Sequence, residues 1–474
     1  MKHIVTKFYK VRGLCLALSM LCLVFSACKK DSFITSQNAA LTTSVDSVKF
    51  DTVFTSTGSI TQSFKISNPN NQKLLLNKVK LIEGDSSSFK ININGQRTTE
   101  ATNIEIAAND SIYVFVTVKI NPNATNQPFV VKDSILIMYN GNSHFVRLQA
   151  YGQNANFLNN QIITANTTWG NKLPYVITGS LHINTGVSLT IGAGCKIYSH
   201  ADAPFIVDGT LVINGNKQAP VVFTGDRLDD NYKDLPASWP GIYFTGTSKN
   251  NVLAYAVVKN AYQAVVAEKP SVNTNPKLLL HQCIIDNAYD AGLLCVNSSV
   301  AADNSLITNC GTNISLTYGG NYSLTNCTVA AYSNNYGSHK KPVLVVNNYV
   351  SDGTNLLIAS LNAAFTNCIF WGDDGLVDNQ VTVDKQGANP FSVTFNNCLY
   401  KAKNDPLNST ITDCIKNTDP LFTTIDVTKQ LYDFHISDKQ SATINTGVNT
   451  NFTADLDGNT RKVGNTDIGC YEQQ

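Results

Sequence analysis

From Val48 onward the chain is a succession of short apolar runs in which hydrophobic and polar positions alternate, and no stretch carries the longer period of an amphipathic helix. Phe64-Lys65-Ile66, Phe89-Lys90-Ile91-Asn92-Ile93, Ile112 to Val118, Ile135-Leu136-Ile137 and Val146-Arg147-Leu148 read as half-buried strands. Between them stand Asn68-Pro69-Asn70-Asn71, Asn94-Gly95, Asn109-Asp110 and Asn140-Gly141, residues that tolerate the backbone angles of tight turns. Many short strands at this turn spacing predict a β-sandwich over residues 46–153.

Past Gly152 the strands shorten. Val187-Ser188-Leu189-Thr190-Ile191, Cys195-Lys196-Ile197-Tyr198, Gly209-Thr210-Leu211-Val212-Ile213 and Val221-Val222-Phe223 are joined by links too short for hairpins that bury much, and they suit the successive sides of a coil stacked on the next coil. A second signature is an amide or carboxylate residue directly before cysteine: Gln282-Cys283, Asn309-Cys310, Asn326-Cys327, Asn367-Cys368, Asn397-Cys398 and Asp413-Cys414, at uneven intervals. Stacked coils place equivalent residues about 4.8 Å apart, so the amides are expected to bond in a ladder and the thiols to fill an interior column. A metal site would need three or four ligands converging on one point, which a column does not supply, whereas disulfides between neighbouring coils stay open as an alternative. The coil is expected over 154–430, with a closing segment over 431–474. The fold class is therefore all-β, a sandwich followed by a parallel β-helix.

Family likenesses rest on particular residues. Phe64-Lys65-Ile66-Ser67-Asn68, Asn109 to Val114, Asp133-Ser134-Ile135 and Leu148-Gln149-Ala150-Tyr151-Gly152 resemble an immunoglobulin-like domain of bacterial surface lipoproteins, which implies a scaffold. Trp239-Pro240-Gly241-Ile242-Tyr243-Phe244 and Leu253 to Ala261 resemble the right-handed parallel β-helix family, the fold of pectate lyases. Asp419-Pro420-Leu421-Phe422, Tyr432 to Ile436, Ala442 to Gly447, Asp455 to Arg461 and Asp467 to Glu472 resemble a C-terminal module of such proteins, which implies a cap over the open strand edges of the last coil. Cys470 departs from the Ala common there, and Gln440-Ser441 from the expected Ser-Pro.

The first residues read as an export leader: Lys2, Lys7, Lys10 and Arg12, then the apolar run Leu14 to Phe25, too short to span a bilayer. Phe25-Ser26-Ala27-Cys28 resembles the lipobox of bacterial lipoproteins, which implies cleavage after 27 and acylation of Cys28. Lys29-Lys30-Asp31 resembles a charged tether that directs lipoproteins to the outside of the outer membrane. Residues 28–45, rich in Ser, Thr, Asn and Ala, are expected as a flexible tether. The net charge of +1 includes the leader's cations, so the remainder is slightly acidic and carries no footprint for nucleic acid; the membrane contact is by lipid anchor only. Of 12 cysteines, Cys15 and Cys22 fall in the leader and Cys28 at its end, leaving an odd number without any Cys-x-x-Cys spacing, read as buried thiols.

The candidates for chemistry are sparse. The acidic insertion with Asp226, Arg227, Asp229 and Asp230 offers one cation among carboxylates, as a lyase would need, or else a solvated turn with a local ion pair. Gly372-Asp373-Asp374-Gly375 echoes one element of polygalacturonase-like hydrolases without the Gly-His-Gly that should follow, so Asp373 and Asp374 are read as a loop. The histidines are isolated in sequence, and no cofactor or metal is implied. Trp169, Trp239 and Trp371, if exposed in a line, would stack on sugar rings; otherwise they cover coil corners. The expectation is a non-catalytic surface lipoprotein that binds extracellular glycan or surface protein. The competing expectations are a polysaccharide lyase or glycoside hydrolase acting on an acidic polysaccharide, and a structural envelope component.

Overall fold

The computed structural model describes residues 32–55, 58–123, 128–351, 353–373, 375–462 and 465–474. Backbone contacts divide the chain into two compact units, 1–153 and 154–474. Among the described residues no helix is long and apolar enough to cross a membrane.

The first unit is a sandwich of two five-stranded sheets. One runs, in spatial order, Thr42–Thr43, Gln62–Asn68, Asp110–Val118, Phe89–Ile93, Gln96–Arg97, antiparallel throughout. The other runs Ser47–Phe54, Asn142–Gln153, Phe129–Tyr139, Leu74–Leu81, Glu100–Ile106, with only its first pair parallel. Every second side chain points inward, so Phe64, Ile66, Val114 and Val116 meet Leu76, Val79, Ile135 and Val146 in one buried cluster. Asn94-Gly95 and Asn140-Gly141 both hold two consecutive positive φ angles, as two-residue hairpin turns require. The segment expected as a free tether is, from Ser32 on, tied to this unit. Thr42–Thr43 pairs with Gln62–Asn68, and the Asn140 amide donates to the carbonyls of Ile34 (2.9 Å) and Ser36 (3.0 Å). Side-chain amides thus satisfy a backbone that has little apolar content of its own.

The second unit winds as a parallel β-helix whose laps contribute a strand to each of three ladders. The first ladder includes Lys196–Ser199, Val221–Gly225, Ala256–Lys259, Ile284–Asp286, Leu306–Thr308, Thr328–Ala331 and Ile369–Gly372. The second includes Phe205–Val207, Ile242–Phe244, Gln263–Glu268 and Leu344–Asn347, and the third Thr210–Asn214, Asn251–Ala254, Leu278–His281 and Leu361–Thr366. In-register pairing stacks like on like. Ile197, Phe223, Val258, Ile285, Ile307, Val329 and Phe370 form one interior file, and Leu181, Phe205, Ile242, Val265, Leu293, Ile314 and Leu344 another. Burial of each such side chain contributes about 1.5–3 kcal/mol.

The corner from the third ladder to the first explains the residue that precedes cysteine. Gln282, Asn304, Asn326, Asn367, Asn397 and Asp413 all adopt positive φ, between 43° and 52°, a left-handed conformation that Asn and Asp adopt more readily than other side chains. The following residues stack inside as Cys283, Ser305, Cys327, Cys368, Cys398 and Cys414. Two expectations need correction. Asn304-Ser305 is a rung of this column, hidden in the sequence because Ser replaces Cys. Asn309-Cys310 is not a rung: it turns the corner from the first ladder to the second, in register with Asn260-Ala261 and Asn287-Ala288.

The C-terminal segment also lies elsewhere than expected. It starts before 431, since Phe422–Asp426 pairs with Leu431–Ile436, and it runs along the flank of five successive laps instead of across the last coil. The outer face of the first ladder is apolar there, and Leu306, Ala330, Ile369, Trp371 and Leu399 pack against Phe434, Leu456, Ile468 and Cys470. The corner amides dock the same segment. Gln282 donates to the Asp455 carbonyl, Asn304 accepts from Arg461 Nε (2.9 Å), Asn326 donates to Thr450 Oγ1 (3.2 Å), Asn367 to the Val448 carbonyl (2.8 Å) and Asn397 to the Thr446 carbonyl (3.0 Å).

Candidate functional site

The residues singled out for chemistry do not come together. Arg227 forks onto Asp229 (2.8 and 3.2 Å) and lies 3.8 Å over the Tyr232 ring, so its charge is spent locally. Asp226 accepts from His200 Nδ1 (2.8 Å) and Asp230 from Lys233 Nζ (2.6 Å). Asp373 accepts from both the backbone N–H (2.8 Å) and the hydroxyl (2.6 Å) of Ser333, which ties two loops, while Asp374 and Cys28 lie outside the described residues. None of the three tryptophans is a stacking platform: Trp169 is buried against Tyr175, ring centroids 4.1 Å apart. Trp239 is 1% exposed and donates Nε1 to the Lys259 carbonyl (2.9 Å); Trp371 is 7% exposed, under the C-terminal segment and Lys401. A large ring at a coil corner closes the interior there.

Among the described residues the nine cysteines are free thiols, all buried apart from the half-buried Cys414. Their small polar heads serve the corner backbone: Cys283 donates to the Leu253 carbonyl (3.1 Å) and Cys368 to the Leu324 carbonyl (3.5 Å). Burial pushes the Cys283 thiol up to about 12 and raises Cys327, Cys368 and Cys398 as well. Only Cys414 is lowered, chiefly because it accepts a hydrogen bond from the Cys398 thiol. The amides bond rung to rung at Asn367–Asn326 (2.9 Å) and, on the other corner, at Asn287–Asn260 (2.9 Å). Among the described residues no three His, Cys, Asp or Glu side chains gather around a common point. Histidines isolated in sequence are partnered across laps: His281 Nδ1 meets Asp303 (2.6 Å), which raises its pKa, and His182 meets Asp208.

The corner from the first ladder to the second carries a cleft of about 320 Å³. Insertions after Val221–Gly225 and Thr328–Ala331 wall it, and its floor is made of consecutive laps at 287–290, 309–311 and 331–332. Tyr289 stands 60% exposed, stacked on Tyr262 of the preceding lap at 5.7 Å between ring centroids. On the following lap the equivalent position is Gly311, where a Cβ would meet the Tyr289 carbonyl at 2.3 Å; its bare backbone leaves the space beside Tyr289 open. Asp290 accepts from Gln263 Nε2 (2.9 Å) and Lys341 Nζ (3.4 Å), while the buried Nδ1 of His339 has no hydrogen-bond partner among the described residues. Asn309 and Cys310 belong to this floor. Sequence reasoning missed the tyrosines, although the tripeptide Asn-Ala-Tyr recurs at 260–262 and 287–289, one lap apart. The arrangement offers aromatic rings, amides and one bridged ion pair over an open floor, chemistry suited to hydroxylated ligands.

Comparison with known proteins agrees with the architecture of the second unit. No curated protein matches the chain. Among solved structures, similarity is slight. The Vibrio cholerae VesB protease shares 13% identity over 24% of this chain and 31% of its own, with a TM-score of 0.18. A family 123 glycoside hydrolase from Clostridium perfringens shares 12% over 25% of this chain and 26% of its own, with a TM-score of 0.18. The human CEP192 ASH / PapD-like domain shares 14% over 27% of this chain and 92% of its own, with a TM-score of 0.17. The chain thus spans about a third or less of the first two, and none of the three bears on its function. Residues 161–270 match the family described as pectate-lyase like beta helix domain, and the parallel ladders continue on both sides of that stretch.

Proposed function

We propose that this protein is a lipid-anchored surface protein of the outer membrane, with an immunoglobulin-like N-terminal module, whose β-helix binds extracellular glycan without turning it over. The observation that carries the binding reading is the stacked, exposed pair Tyr262 and Tyr289, open toward Gly311 and edged by Asp290 and Lys341. A pyranose presents C–H groups on one face and hydroxyls on its rim, which such a ring and such an edge would meet together. The non-catalytic reading is supported by the acidic insertion, whose cation is held by Asp229 and Tyr232 and is not presented to a substrate. The competing enzymatic reading draws on the described character of the matched family.

A glycan array probed with the full chain, paired with assays for new reducing ends and for unsaturated uronate, separates the readings. Binding without product, weakened severalfold or more by Tyr289→Ala, is the expected result. Accumulating product would establish an enzyme, and neither binding nor product would leave a structural envelope role. Palmitate labelling lost in Cys28→Ser, together with protease access on whole cells, tests the anchor and the outward face.

A further inference from the structure

The outer face of the first unit holds a second opening, of about 630 Å³, unrelated to the corner cleft. It lies on the strands Asp110–Val118, Phe89–Ile93 and Gln96–Arg97, and the register brings its lining into one row: Phe115 pairs with Asn92, and Asn92 with Arg97. One row over, Thr117 pairs with Lys90.

An outward sheet face is ordinarily polar. Here Phe115 is 40% exposed and stacks with the equally outward Tyr113, ring centroids 5.8 Å apart, while Lys65 Nζ lies 5.1 Å from the centre of the Tyr113 ring. The Lys90 ammonium donates only to the backbone carbonyls of Ser87 (3.3 Å) and Asp85 (3.5 Å), and no carboxylate lies within ion-pair distance of Arg97 among the described residues. Among the described residues Asp85 is the one carboxylate lining the opening, against two cations. At the centre of the row the Asn92 side-chain carbonyl is buried without a donor among the described residues.

We propose that this face is a carbohydrate-binding site selective for saccharides bearing a carboxylate or sulfate. The ring of Phe115 takes the C–H face of a pyranose, and Arg97 with Lys90 pairs with the acidic group; the planar guanidinium suits a carboxylate or sulfate in two-point contact. A row spanning three strands at about 4.8 Å each is wide enough for more than one sugar ring.

Calorimetric titration of the full chain with tetragalacturonic acid, a sulfated heparin tetrasaccharide and uncharged maltotetraose tests this, the two acidic probes distinguishing carboxylate from sulfate. At least one acidic probe should bind, less tightly as salt is raised, and maltotetraose should bind no better than tenfold more weakly than it. Arg97→Ala should raise Kd about tenfold and Phe115→Ala severalfold, with circular dichroism unchanged because both residues are exposed. Tyr289→Ala should leave acidic binding in place. Equal binding of maltotetraose, binding of neither acidic probe, or wild-type affinity in both Arg97→Ala and Phe115→Ala would overturn the proposal. Loss of acidic binding in Tyr289→Ala alone would assign it to the corner cleft, overturning this site while sparing the functional reading above.

Discussion

Arg461 fastens the C-terminal segment to the β-helix, and its removal should loosen that segment selectively. The guanidinium and its partner Glu472 are wholly buried, with Nη1 3.2 Å from Oε2. Nε donates to Asn304 Oδ1 on a coil corner (2.9 Å), Nη2 to the Gly469 carbonyl (2.8 Å), and Nη1 also reaches Thr466 Oγ1 (3.3 Å) and the Asp467 carbonyl (3.4 Å). Breaking a buried pair on one side costs about 3–5 kcal/mol, because the remaining charge is stranded. Glu472 would keep donors from Thr466 Oγ1 (3.0 Å) and the backbone N–H of Asp467 (3.1 Å), which places Arg461→Ala near the lower end, about 3 kcal/mol. At about 1.4 kcal/mol per power of ten, amide exchange should accelerate about a hundredfold at Gly447, Leu456 and Ile468, whose N–H groups bond within the segment. Amides of the helix interior, such as Val265, should keep their protection. Arg461→Met combined with Glu472→Gln, which removes both charges, should lose less than Arg461→Met alone. Unchanged exchange at those three amides, or a double variant as damaged as the sum of its singles, would refute the reasoning.

Other consequences can be checked separately. Gly241 has φ +126° and a Cβ there would lie 1.7 Å from the Gln263 carbonyl oxygen, so Gly241→Ala should cost about 3 kcal/mol or more in chemical denaturation, and a neutral result would mean the corner can open. Of the coil thiols only Cys414 is both half-exposed and lowered, so a native-state thiol assay should find one fast-reacting group that Cys414→Ser abolishes; comparable reactivity at Cys283 would contradict the burial argument. Lys277 is fully buried, donates to the carbonyls of Thr245 (2.6 Å) and Gly246 (3.1 Å), and is pushed down to about 8 from 10.5 by burial. Between those values the unfolded chain holds more protons than the folded one, so this group makes stability rise with pH across that window. Lys277→Met should flatten that rise in urea titrations at successive pH values, and an unaltered slope would show that the ammonium stays charged when folded.

How far the fold was legible depends on whether a contact is local. Alternation at Phe89 to Ile93 and the Asn-Gly turns announce the sandwich because both act within a few residues. The amide-cysteine pairs announce stacked laps, yet their deeper cause, a left-handed backbone at each corner, also made Asn309-Cys310 look like a member of a column to which it does not belong. Ser305 took a rung unnoticed because a hydroxyl fits where a thiol does. Tryptophan is apolar in body and polar at one atom, so its sequence setting does not say whether it faces water; Trp239 and Trp371 were placed by packing alone. The C-terminal segment could be recognised but not located, since its anchors pair residues as far apart as Gln282 and Asp455, 173 positions, through side chains that would look equally at home in solvent. Tyr289 was within reach through the repeated Asn-Ala-Tyr, but only once the lap length between the repeats was known.

The laps differ greatly in length, with 16 residues from Cys398 to Cys414, 22 from Cys283 to Ser305 and 41 from Asn326 to Asn367, yet strand pairing is in register across each of them. A fixed kink at every bend therefore works like a hinge pin that resets the chain, and whatever is spliced between two pins leaves the neighbouring floors undisturbed. Mutation by insertion, ordinarily ruinous to a sheet, becomes a cheap source of novelty in such a molecule. Grafting foreign loops at 334–338 or 375–378 should accordingly be tolerated where a single residue added inside Ile284–Asp286 would not.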